Sequence, residues 1–373
     1  MAGPSTGGGG AIRRGREVIV QHMSTYERIA ELHVEIDSYV LEGLAIQPSP
    51  EFERLTTVIQ MISDGLVGNG EDITYEGLDA IALQDAGPVH DLTGPRTIGE
   101  LCDLIGGLDL FPTPPEREVS RLYRRWAFES AALDLALKQA DTTLSEYLGL
   151  ELRPLTFVAS MGLKGPDGSS DINTIKAKLA VYPDLQLKLD PALDWDDDLI
   201  AELAATGAVN TLDLKGRYKG TVVDIDTDPD LYARLAEAFP DAWLEDPDIN
   251  DETRPILAPH MDRVTWDAPI HSVGEIEALE YRPKVINIKP SRMGGLKSTF
   301  DAYDFCRHEA IGAYGGGQWE LGVGREQVQY LAALFHPDNA NDTAPRGYNA
   351  TVPDAGLPTS PMEVPGIGFG IPH

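Results

Sequence analysis

The sequence predicts an α/β protein: a (β/α)8-type barrel preceded by a smaller α+β part. Three observations carry this. Five short apolar runs each end on an ionisable residue: Leu185-Gln-Leu-Lys188, Thr211-Leu-Asp213, Ala242-Trp-Leu-Glu245, Val264-Thr-Trp-Asp267 and Val285-Ile-Asn-Ile-Lys289. They recur roughly every 20 to 30 residues, about one strand–helix unit each, as the strands of such a barrel do. No phosphate-binding glycine fingerprint opens the first strand–helix turn, which disfavours an open dinucleotide-binding sheet.

Taken in order, residues 1–24 read as a disordered tail, glycine-rich at Gly7 to Gly10 and followed by Arg13-Arg14. It is either native or an added remnant, and Met23 is an alternative start. Residues 25–120 form the α+β part. The stretch 31–41 alternates as a strand does, and 55–68 reads as a second, β-branched strand. A proline-containing loop, 45–52, is expected between them. A long helix follows over about 117–147, ended by Gly149. The barrel spans 121–345, with strands expected at 155–161, 185–189, 211–214, 242–244, 264–266, 285–288 and 312–316 and a weak eighth near Thr343. Helical segments at 197–205, 230–238, 273–279, 298–309 and 323–334 alternate with them. A C-terminal segment, 346–373, closes the chain.

With 373 residues and 42% hydrophobic residues, the chain is long enough for a large core and two domains. No apolar run reaches the roughly 20 residues of a membrane helix, and no signal peptide is visible. The formal net charge of −30 argues against nucleic acid and anionic membranes as partners. It reflects either adaptation to high salt or an ordinary acid-rich source. Cys102 and Cys306 read as buried free thiols, which places the chain in a reducing cytoplasm.

The charges at the strand ends point to one site. Asp213, Glu245 and Asp267 come from adjacent strands and offer oxygen ligands to a hard divalent cation: Mg²⁺, with Mn²⁺ as the alternative. Such an ion acts as a Lewis acid on a substrate carboxylate and stabilises the enediolate left when the alpha proton departs. Lys188 and Lys289, on opposite sides of the mouth, would then serve as base and acid. An amine near a cation and a second amine has a depressed pKa.

These residues sit in motifs that resemble the enolase superfamily, muconate-lactonising-enzyme subgroup. The carriers are Asn287-Ile-Lys-Pro-Ser-Arg-Met-Gly-Gly-Leu296, Gly316-Gly-Gln-Trp-Glu-Leu-Gly-Val-Gly-Arg325 and the helix Ala131-Ala-Leu-Asp-Leu-Ala-Leu-Lys138. They are most similar to o-succinylbenzoate synthases and N-succinylamino acid racemases. The resemblance implies an N-terminal capping domain over the barrel mouth, with the C-terminus returning to the cap. It also implies Asp213, Glu245 and Asp267 as Mg²⁺ ligands and Lys188 and Lys289 as the acid/base pair. The implied function is proton abstraction alpha to a carboxylate, giving racemisation, epimerisation, cycloisomerisation or elimination. The alternatives are a sugar-acid dehydratase and a barrel that binds a carboxylate without turnover. The partner is a small-molecule carboxylate, and a homo-oligomer is expected.

Three departures mark this chain. Gln186-Leu-Lys188 stands where the family has Lys-x-Lys, Asp213-Leu-Lys215 where it has Asp-x-Asn, and Ala268 follows Asp267 where Glu is frequent. The reading is a positive charge moved to Lys215, which would point inward beside Asp213 and fill the place vacated at Gln186; the alternatives are ordinary drift within the family, impaired catalysis, and a Lys215 paired only with a structural carboxylate such as Asp190 or Asp246. A more cationic pocket would suit a substrate with an extra anionic group. Gln186, Lys215, Trp319 and Glu320 complete the expected substrate-binding set, and His271 is read as a rim residue.

Overall fold

The computed structural model describes residues 23–49, 52–165, 168–219 and 225–371. The N-terminal tail lies outside them, apart from Met23 and Ser24. Five strands build the N-terminal part: β1 (His33–Ile36), β2 (Ser38–Ser49), β3 (Phe52–Ser63), β4 (Leu66–Asp72) and β5 (Gly94–Thr97). β2, β3 and β4 form an antiparallel meander, and β1 pairs with β5.

Three local expectations fail here, each for a readable reason. The strand expected at 55–68 is two strands, because Asp64 (φ 48°) and Gly65 (φ 80°) both enter the left-handed region and close a hairpin. Asp-Gly is the residue pair that such a two-residue turn selects. The loop expected at 45–52 is largely strand: β2 continues to Ser49 with an irregularity after Ile46. Its proline is tolerated because β2 lies at the sheet edge. The single helix expected at 117–147 is two, Ser120–Gln139 and Leu144–Leu148. Asp141 (φ 50°) breaks the first, and a capping box of Thr143 with Glu146 starts the second. Gly149 ends it in the left-handed conformation.

The helix Ser120–Gln139 is buried along most of its length and packs against β4. The approach is close enough to require glycine. A Cβ at Gly70 would stand 2.0 Å from the Ala127 carbonyl oxygen, and one at Gly68 would stand 2.3 Å from that of Ala131.

The barrel begins with five parallel strands in sequence order: β6 (Ala159–Gly162), β7 (Leu187–Asp190), β8 (Val209–Asp213), β9 (Trp243–Glu245) and β10 (Val264–Thr265). β11 (Val285–Ile288) and β12 (Gly312–Gly315) pair in parallel. The Asn287 N–H donates to the Trp266 carbonyl (2.9 Å) and joins β10 to β11. The eighth position is short and lies at 341–342, just before the expected Thr343. Asp342 bridges Gly316, and Asn341 bridges Phe157, which closes the ring.

Two cap side chains stitch the cap to the loop after β12. The fully buried Arg54 donates to the carbonyls of Ile73 (2.7 Å), Thr74 (2.9 Å), Gln318 (3.1 Å) and Trp319 (3.2 Å). Glu71 accepts the N–H groups of Leu321 (2.6 Å), Gly322 (2.9 Å) and Gly324 (2.8 Å). At the C-terminal end, Gly370 donates its N–H to Asp134 (2.9 Å), and Phe369 packs edge-on against Trp126. Both cysteines are free and buried. Among the described residues, no helix is long and apolar enough to cross a membrane.

Candidate active site

The ionisable residues expected at the strand ends converge at one end of the barrel, all of them buried. Lys188 lies in β7, Asp213 and Glu245 end β8 and β9, Asp267 follows β10, and Lys289 follows β11. Parallel strands share a direction, so their C-terminal ends meet on one face of the ring.

Within this cluster every charge has a partner. The Lys188 ammonium donates to Glu245 and lies 3.2 Å from Asp213 and 3.7 Å from Asp342. Burial works against its charge, but Glu245 and Asp213 outweigh burial and hold it well above the ordinary lysine range. The depressed value expected from the sequence belongs to the metal-bound site, where a cation would stand against these same carboxylates. Lys289 donates to Asp267 (2.8 Å), which also accepts from Arg292 (2.6 Å) and the Tyr218 hydroxyl (3.1 Å). The Tyr314 hydroxyl donates to Glu245.

Oxygens of Asp213, Glu245 and Asp246 lie within 4.8 Å of one another, so Asp246 joins two of the three expected carboxylates. Strand alternation would send Asp246 away from the face of Glu245. Its φ of 49° breaks that alternation and turns the side chain inward. There its two oxygens accept the N–H groups of Asp267 (2.9 Å) and Ala268 (2.8 Å). Burial, then the charges of Asp267 and Asp213, push its carboxyl up to about 7. Asp213 is also buried, yet Lys215 and Lys188 hold it well below the usual carboxylate range.

Lys215 stands beside Asp213, as expected, but not over Gln186. Its ammonium bonds Asp213 and lies 3.2 Å from Asp190. Asp190 is two residues beyond Lys188 along β7, whereas Gln186 is two residues before it. Lys215 lies past the end of β8, so it extends toward the mouth and not down toward Gln186. Glu320 is buried and pairs with Arg325 (3.1 Å). Trp319 is half-buried with φ 61°. His271 pairs with Glu275 (3.4 Å).

Several residues at the site were not singled out from the sequence: Asp246, Arg292, Tyr218, Tyr314 and Asp342. Arg292 stands inside the quoted sixth-strand motif, and Asp342 sits in the weak eighth strand. Arg54 and Glu71 carried no local signal for their contact with the loop after β12, because those partners lie more than 240 positions away.

Residues 27–147 match the family model described as Domain of unknown function (DUF8230) N-terminal domain, and 151–350 match its C-terminal counterpart. The chain is 27% identical over 261 residues to an o-succinylbenzoate synthase of Geobacillus stearothermophilus, covering 66% of this chain and 67% of the relative. Among solved structures it is similar to a dipeptide epimerase from Methylococcus capsulatus complexed with Mg ion. That match has a TM-score of 0.63, 18% identity and coverage of 83% and 89% of the two chains. A muconate cycloisomerase from Pseudomonas fluorescens aligns at a TM-score of 0.58 with 19% identity, over 82% and 85% of the chains. At these identities the structural likenesses carry the fold.

Proposed function

This chain belongs to the DUF8230 family, and from that premise we propose that it is an enolase-superfamily enzyme that removes the proton alpha to a substrate carboxylate with Mg²⁺ bound at the barrel mouth. One observation carries the reading. One buried lysine stands in the second of eight barrel strands and another just after the sixth, on opposite sides of the ring, with buried carboxylates on the strands between. A substrate held at that mouth meets an amine on each face.

The residues fit a divalent cation. The converging oxygens of Asp213, Glu245 and Asp246 are the hard donors such an ion takes. Asp213 and Glu245 would hold it. Asp267, the ligand expected from the sequence, would complete the set, with Asp246, whose oxygens accept two backbone N–H groups, as the alternative. When bound, Mg²⁺ supplies the positive charge that lets a carboxylate's weakly acidic alpha proton be lost. Lys188 and Lys289 hold or take the proton on opposite faces, and Arg292 and Tyr218 keep Asp267 in place. Whether the product is a stereoisomer, a lactone or an alkene is then set by the substrate's other groups.

The test is alpha-proton exchange in D2O, followed by NMR, over N-acylamino acids, dipeptides, acid sugars and muconates. Exchange that needs Mg²⁺ and stops with a chelator supports the reading. Saturable binding of a carboxylate with no exchange favours the non-catalytic barrel.

A further inference from the structure

The turn that carries Lys289 is anchored from outside the barrel. Lys289 follows β11, and Pro290 to Met293 after it form one buried helical turn. The Met293 N–H donates to the Lys289 carbonyl (3.0 Å), and the Gly294 N–H donates to that of Pro290 (3.1 Å). From this turn Lys289 and Arg292 both reach Asp267, at 2.8 and 2.6 Å. Whatever fixes Gly294 and Gly295 therefore bears on both cations.

The helix Ser120–Gln139 fixes them. Leu122, Arg125 and Glu129 follow one another at three and four residues, so they share one stripe of that helix. A Cβ at Gly294 would stand 2.5 Å from Cδ2 of Leu122. One at Gly295 would stand 2.8 Å from Oε2 of Glu129 and 3.3 Å from Nε of Arg125. Gly294 also has a φ of 79°, so glycine suits it twice over.

Glu129 ties this contact with a hydrogen bond. It is fully buried; its Oε1 accepts from Nε of Arg125 (2.6 Å) and its Oε2 from the N–H of Leu296 (2.7 Å). Leu296 opens a helix of 14 residues, and the cap position before it is Gly295, which has no side chain to offer. A serine or aspartate at 295 would ordinarily serve such a helix start, without the cost of burying a distant carboxylate. The close approach to the helix Ser120–Gln139 excludes one. The sequence thus gives up a local cap and keeps a bond between two elements.

We infer that Glu129 is a positioning residue: by tying Leu296 to the helix Ser120–Gln139 it sets the turn 289–293, and with it the place of the Lys289 ammonium. Lys188 lies in β7 among Glu245, Asp213 and Asp342 and shares none of these contacts. The consequence for catalysis rests on the alpha-proton reading above. The placement of the lysine does not.

The experiment compares wild type with Glu129→Met, which keeps the size and loses both acceptors, and Glu129→Gln, which keeps one. The first readout needs no substrate. Side-chain ¹⁵N–¹H spectra of metal-free protein report the lysine ammonium groups, and Lys188→Arg and Lys289→Arg assign the two signals by removing them. Glu129→Met should quicken exchange of the Lys289 ammonium with water by about 10-fold or more and leave that of Lys188 within about 2-fold, with Glu129→Gln in between. Equal changes at both lysines, or none at Lys289, mean a cap that only stabilises the fold, and overturn the proposal. Should Glu129→Met fail to fold, Glu129→Gln carries the same comparison.

The second readout is Mg²⁺-dependent alpha-proton exchange in D2O with the D and L forms of N-acetylphenylalanine. The form whose exchange Lys289→Ala abolishes should lose about 10-fold or more in kcat in Glu129→Met. Its KM, and the exchange of the other form, should change by less than about 3-fold. Equal losses from both forms overturn the proposal. A wild type inert toward both forms, with exchange still quickened at Lys289 alone, counts against the reading of the reaction and supports the positioning.

Discussion

Lys215 grips Asp213 at two points: its backbone N–H reaches Oδ1 at 3.3 Å, and its ammonium bonds Oδ2. The hold is made possible by the left-handed backbone at Lys215, with φ 54°. Burial opposes the ammonium's charge, but Asp213 and Asp190 raise its proton affinity, so it stays charged at neutral pH. In the proposed metal site, a permanent cation on Asp213 competes with the metal. Lys215→Asn should therefore tighten Mg²⁺ binding by about 10-fold in calorimetric titration. Weaker binding would show instead that Lys215 orients Asp213.

In the proposed reaction the lysines divide the work by face. Lys188→Ala and Lys289→Ala should each abolish interconversion of enantiomers, with a loss of about 100-fold or more. Each variant should retain alpha-proton exchange from one enantiomer only. Interconversion at the wild-type rate in either variant excludes two bases.

Asp267 and Asp246 separate by substitution. Asp267→Asn should weaken Mg²⁺ by about 100-fold and leave Lys289 and Arg292 without their counter-ion. Asp246→Asn should weaken it by less than about 10-fold. The reverse order in a titration would make Asp246 the third ligand.

Metal-free stability should depend on pH through Asp246. Its carboxyl is held at about 7 in the folded chain, against an ordinary 3.8. Between those values the folded protein keeps a proton that the unfolded chain has released. Stability from this group is therefore full in acid and falls as pH rises through the window. Urea melts in chelator should give a lower midpoint at pH 8 than at pH 5, with a smaller difference for Asp246→Asn. Equal slopes for both proteins would refute the assignment.

Arg54→Met should lower stability by about 3 kcal/mol or more, because four buried carbonyls lose their donor. With the loop after β12 released, KM should rise more than kcat falls. A change in kcat alone would place Arg54 in the chemistry.

The barrel was legible because five of its strands carry a run of apolar residues that leads to a charge. Lys188, Asp213, Glu245, Asp267 and Lys289 could be found for the same reason: alternation along a strand fixes which way a side chain faces. Where the backbone leaves that alternation, the reading failed. Asp246 turns inward only because its φ is positive, and nothing in Glu245-Asp246-Pro247 announces it. The hairpin at Asp64-Gly65 was written in the sequence but was passed over within a long β-branched stretch. Arg54 and Glu71 were out of reach for another reason. Their partners are main-chain atoms, most of them in a distant loop, and main-chain atoms leave no trace in residue identity.

The two clamps make the cap and the loop after β12 inseparable as parts. A chimaera that imports only a relative's cap would arrive without matching hydrogen-bond partners at 317–325, and one that imports only the loop would strand Arg54 and Glu71 in the interior. Directed changes of selectivity in this scaffold should therefore exchange β3, β4 and residues 317–325 as a single cassette. Libraries that randomise either alone will spend most of their members on proteins that do not close.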